Sequence, residues 1–119
     1  MASSFFTKMF LSESIDGRPI RVITTAVSGQ LIHTAVAVSG SVAIDEITMF
    51  ACNNGSVDCQ LAIKFGGLND ADLIFVTVPF QAGLMRVLPG LCLNNSSEVR
   101  VYATYDNCIN VSGYVNRIT

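Results

Sequence analysis

The chain has 119 residues, half of them apolar and 13% charged, with a net charge of −2 and a mean hydropathy of +0.49. That length makes one domain able to bury a core without staples. The seven Lys and Arg are scattered from Lys8 to Arg117 without a run or stripe, which argues against direct binding to nucleic acid or to an anionic membrane surface.

Soluble domains usually carry about 25% charged residues, so little charge is left here to coat a free surface. Either the core is thick, or the chain is a subunit that covers further apolar area against neighbours, and the second reading suits the composition better. Residues 1–18 are the least patterned. They read as an N-terminal arm or a first edge strand that lies on a neighbouring subunit, with 19–119 as a single β-sandwich domain. The opening stretch, MASSFFTKMFLSES, has no basic start, is interrupted by Thr7 and Lys8, and has no clean small-residue cleavage site. It does not read as a secretory signal, and no window approaches the ~18 consecutive apolar residues of a membrane helix. Folding in a cytoplasm is the expectation.

From there the chain alternates with period two. Strands are expected at 21–26 and 30–36, and again where Ile47, Met49 and Ala51 alternate with Thr48 and Phe50. Cys59, Leu61, Ile63 and Phe65 alternate with Gln60, Ala62 and Lys64. The run LIFVTV, Leu73–Val78, is apolar on both faces, the pattern of a central strand covered on both sides. A strand at 83–88 follows. Residues 98–105 and 109–118 alternate around the turn pair Asp106-Asn107 and read as a hairpin. Asp16-Gly17, Ser28-Gly29, Ser39-Gly40, Asn54-Gly55, Gly66-Gly67, Pro89-Gly90 and the Asn94–Ser97 cluster punctuate the chain. The fold class is all-β: an antiparallel β-sandwich of jelly-roll-like or Ig-like topology.

Residues that carry chemistry are few. Cys52 and Cys59 flank an Asn-Asn-Gly-Ser cluster, which reads as a hairpin. A loop at Gly55-Ser56 would set the two sulfurs opposite each other, whereas one at Asn54-Gly55 would pair Cys52 with Val57 and Cys59 with Phe50. In a reducing compartment the thiols stay free, as small buried hydrophobes. The spacing does not match a zinc site, and Cys92 and Cys108 stand apart. The lone His33, in QLIHTAV, has no nucleophile signature around it and reads as a satisfied strand or interface histidine. Asp45 and Glu46 are strand neighbours and point to opposite faces. They read as a solvated strand start or as partners for an arginine of another subunit. Phosphate-loop, metalloprotease and nucleophile-elbow patterns are absent. No cofactor, metal or catalytic residue is assigned.

The second half carries a resemblance. Asp72, Leu73, Ile74, Val76, Thr77, Val78 and Pro79 open it, followed by Gly83, Leu84, Val87, Pro89, Gly90 and Leu93. Val99, Arg100 and Ala103 come next, and the chain closes on Val111, Gly113, Tyr114, Val115, Asn116, Arg117 and Ile118. This succession, with LIHTAVAVSGSVAIDEITMFACNN upstream, resembles a group of small virion proteins of tailed phages and prophages, over residues 30–118. The resemblance implies a β-sandwich on the outside or at the joints of a phage particle. It suits a capsid decoration, or cement, protein: a homo-oligomer, commonly a trimer, that bridges capsomers of the major capsid protein. Such a protein would sit on the capsid surface of a virion assembled in the host cytoplasm. Its contacts would come from the arm (Phe5, Phe6, Met9, Phe10 and Leu11) and from the polar loops holding Asn54 and Asn95. A tail, neck or fibre-associated component is the alternative. A carbohydrate-binding or adhesion module, with Tyr102 and Tyr114 as a weak sugar platform, is a more distant one.

Overall fold

The structure is a computed structural model that describes residues 5–119; the first four residues of the expected arm lie outside it. Nine strands follow the chain: β1 (Phe6–Phe10), β2 (Ile20–Arg21), β3 (Gln30–Thr34), β4 (Ile44–Asn53), β5 (Cys59–Phe65), β6 (Leu73–Val78), β7 (Met85–Leu93), β8 (Glu98–Ala103) and β9 (Ile109–Ile118). A 3₁₀ turn, Asp70–Asp72, precedes β6. No helix of the described residues is long and apolar enough to cross a membrane.

Two antiparallel sheets pack face to face. One has the order β1-β9-β4-β7, with β2 also on β9, and the other β3-β8-β5-β6. The pairs β1·β9, β3·β8, β4·β7 and β5·β6 lay the first half of the chain against the second in reverse order. That is the wrapping of a jelly roll rather than the hairpin-by-hairpin order of an Ig domain.

The period-two pattern becomes the core. Ile47, Met49 and Ala51 of β4 and Val111 and Val115 of β9 face Leu61 and Ile63 of β5 and Val99 and Val101 of β8, all of them fully buried. Leu11 and Val22, from the ends of β1 and β2, close one side. On β9, Gly113 lies opposite Met49, and a Cβ there would collide with the Thr48 carbonyl. Only glycine permits that approach of the two backbones.

Five expectations are corrected. The strands at 98–105 and 109–118 do not form a hairpin: β8 and β9 lie in different sheets, and residues 104–108 cross between them. The same alternation serves either arrangement, because Val99, Val101 and Ala103 meet Ile109, Val111 and Val115 in one core from opposite sides. The Cys52–Cys59 segment likewise crosses between sheets. Cys52 is in register with Asn110 and Cys59 with Val78, and both thiols are free. The crossing is held by buried Asn53, whose amide nitrogen donates to the Val57 and Val78 carbonyls while its oxygen accepts from the Gly55 amide.

The LIFVTV strand is not central. β6 is an edge strand, and Phe75 is 54% exposed, so its two-faced apolarity reflects apolar residues left outside rather than double cover. Pro89-Gly90 does not turn the chain but sits within β7, where the register against β4 jumps from Ile47↔Leu91 to Thr48↔Pro89. Gly90, at φ +91°, takes up the bulge, and Pro89 is tolerated because β7 is an edge strand. The strand expected at 21–26 is cut to Ile20–Arg21, because the Gln30 side chain replaces pairing beyond it. That side chain accepts from the Ile23 amide at 2.8 Å and donates to the Arg21 carbonyl at 2.9 Å.

Candidate functional site

Charged and nucleophilic groups converge at one place, where the two sheets meet. Asp45 opens β4, His33 sits on β3 of the facing sheet, and Arg117 lies in register with Asp45 on β9. His33 and Asp45 are 1% and 0% exposed. His33 Nε2 is 2.9 Å from Asp45 Oδ2, and Arg117 reaches both carboxylate oxygens, through Nε at 2.7 Å and Nη2 at 2.9 Å. The Val36 amide adds a further donor at 3.1 Å. On the other side of the imidazole, the Ser12 amide donates to Nδ1 at 3.0 Å. With Nδ1 accepting, Nε2 carries the proton and donates it to Asp45.

The arrangement has the acid–imidazole half of a hydrolase triad, but its geometry is closed. A general base needs a free nitrogen facing a nucleophile, and here the second nitrogen is filled by the backbone. The Ser12 hydroxyl is also engaged, accepting from the Thr34 amide at 2.8 Å. What the network does is fasten β3, β4, β9 and the segment after β1 together. Burial pushes the Asp45 pKa up, but the hydrogen bonds from Arg117 and His33, with the charge of Arg117, outweigh it and hold the carboxyl below its ordinary 3.8. The Arg117 pKa is raised, chiefly by its hydrogen bond to Asp45. Asp45 is thus neither a solvated strand start nor a partner for another subunit's arginine. Glu46 does point to the opposite face, where its carboxylate accepts from the Asn116 side chain at 3.2 Å.

The surface is the more unusual part of the molecule. Of seven phenylalanines, five (Phe5, Phe6, Phe10, Phe75 and Phe80) are exposed, and none belongs to the fully buried core. On β1, Met9 and Leu11 turn inward, while Phe6, Lys8 and Phe10 turn outward in register with Ile118, Asn116 and Tyr114. The Lys8 ammonium lies over the Tyr114 ring, 4.5 Å from its centroid. Phe6 and Phe10 are 72% and 58% exposed, and Phe5 continues the strip, its amide and carbonyl paired with Thr119. Among the described residues no further strand lies beyond β1, so it forms an edge of its sheet.

The residues expected to make contacts are therefore only partly brought together. Phe5, Phe6 and Phe10 form one strip. Asn95 is exposed in the β7–β8 loop, where its amide binds the Val38 carbonyl, near the end of the sheet at which Phe5 and Phe6 lie. Asn54 is at the opposite end, between the Arg21 guanidinium and the Cys108 carbonyl. Tyr102 and Tyr114 occupy different sheets and make no joint platform. A second apolar group, Val57, Phe80 and Leu84, lies in the β4–β5 and β6–β7 loops, which are joined by the bond from the Phe80 amide to Asp58. Sequence reasoning missed it, although the interruption of alternation after Val78 is visible in PFQAGL. No group of three metal-ligating side chains occurs among the described residues. Comparison of the chain with protein-family models, curated proteins and solved structures finds no match.

Proposed function

We propose that the chain is a non-catalytic structural subunit of a tailed-phage particle. In this reading it is a decoration protein that forms a homo-oligomer, a trimer by the sequence resemblance, and cements the major capsid protein from outside. The observation that carries this reading is the placement of five of the seven phenylalanines on the surface of a single chain. Burying such a side chain is worth about 1.5–3 kcal/mol, and a monomer that leaves five outside forgoes that stabilisation repeatedly. Three of them, Phe5, Phe6 and Phe10, form one apolar strip along β1, and a strip of this kind marks contact with another macromolecule.

The resemblance of residues 30–118 to small virion proteins supplies the partner, and the jelly roll suits it, since the architecture recurs in capsid domains. The His33–Asp45–Arg117 network fits a role that needs rigidity and no turnover. The test is to add purified protein to particles lacking it and to count copies after co-sedimentation. Hundreds of copies per particle are expected of a decoration protein. A few to dozens would move it to a tail or neck ring, and no binding would overturn the virion assignment.

A further inference from the structure

The outer face of the β3-β8-β5-β6 sheet carries a second feature that shell contacts do not explain. Lys64 on β5 alternates outward from the core, between buried Ile63 and half-buried Phe65, yet it is only 4% exposed. Its ammonium forms no ion pair and no hydrogen bond among the described residues, and lies over the Tyr102 ring, 5.9 Å from the centroid. The side chain as a whole is covered while its unpaired ammonium keeps contact with solvent, and the one acid in the surrounding lining is already engaged: Glu98 pairs with Arg100 at 2.8 Å.

Lys64 lines a pocket of about 460 Å³, together with Arg100, Glu98, Ser28, Ser96 and Ser97, a size within the usual range for small-molecule sites. The three serine hydroxyls make no hydrogen bond among the described residues. Two cations against one carboxylate leave a single positive charge, which balances one carboxylate and not a phosphate dianion. Free hydroxyls beside it suit a ligand with hydroxyls of its own. We infer that this pocket binds a sugar acid: Lys64 pairs with the carboxylate, and Ser28, Ser96 and Ser97 hydrogen-bond the ring hydroxyls.

The experiment is an amide-shift titration of the full chain with glucuronate, glucose, inorganic phosphate and a triglutamate peptide at matched ionic strength, with melting temperature as a second readout. Glucuronate should move the resonances of Gly66, Gly67, Ser96 and Ser97 and raise the melting temperature, and glucose should do neither. In Lys64→Met both responses should vanish, because the pocket loses its unpaired cation. Ser28→Ala/Ser97→Ala keeps the charge and should weaken glucuronate about tenfold, the loss of one or two net hydrogen bonds, whether or not the lysine variant folds. Equal glucuronate responses in parent and Lys64→Met, or none in the parent, would overturn the inference. So would tighter binding of triglutamate or phosphate, which would make the pocket a docking point for acidic polypeptide or for phosphate instead.

Discussion

Asp45 shows how much one residue can hold. It accepts from Arg117, His33 and the Val36 amide while fully buried, and removing one partner of a buried ion pair typically costs about 3–5 kcal/mol. Asp45→Asn should therefore lose about 3 kcal/mol at neutral pH, read from urea denaturation. The pH dependence has a definite sign. The carboxyl is more acidic in the folded chain than its ordinary 3.8, so its contribution is complete above that value and is lost as the pH falls through the lower, folded one. The gap between wild type and Asp45→Asn should be constant from pH 7 to 5 and shrink below pH 3.8; a constant gap down to pH 2.5 would contradict the assignment. Gly113 is the second such residue. An alanine Cβ would meet backbone that cannot give way, so Gly113→Ala should lose about 3 kcal/mol, and a shift in urea midpoint near zero would show that β4 and β9 do not approach so closely.

At the scale of elements, β1 decides what kind of experiment is informative. Its inner residues belong to the fold: five residues pair with β9, and Leu11 is buried in the core. Deleting the chain through residue 11 would remove that pairing and a buried leucine worth about 2–5 kcal/mol, so loss of binding after truncation would say nothing about contacts. Phe6→Ser/Phe10→Ser changes only outward side chains. It should leave stability within about 0.5 kcal/mol while abolishing self-association; association as strong as that of wild type would sink the role of the strip.

The same strand shows what was legible in the sequence. The alternation of β4, β5, β8 and β9 named the inward residues correctly, because one buried face imposes a period of two. Which strands share a sheet was not legible, since crossing the sandwich and turning back within a sheet use the same turn residues: Asn54-Gly55 and Asp106-Asn107 do the former. Nor was the Asp45–Arg117 pair legible, as it joins residues far apart in the chain through a register only the fold defines. Phe75 misled for a related reason: apolar residues on both faces of a strand signal two covered faces, and one face of β6 is open.

In the whole molecule, a satisfied interior is wrapped in an apolar surface. No buried side-chain polar atom among the described residues lacks a hydrogen-bond partner, so the fold is complete in its polar accounting. Large apolar side chains nevertheless stand outside along β1, on β6 and in the β6–β7 loop. A jelly roll with sheet edges at β1, β7, β3 and β6 has room for neighbours on more than one side, which is what a subunit that bridges capsomers requires. The most direct measurement is the mass of the purified protein in solution, by light scattering across micromolar concentrations. A stable oligomer, a trimer of the 12.7 kDa chain, that dissociates in Phe6→Ser/Phe10→Ser is the predicted result. A soluble wild-type monomer at every concentration would contradict the claim that this surface is built to be covered by further copies.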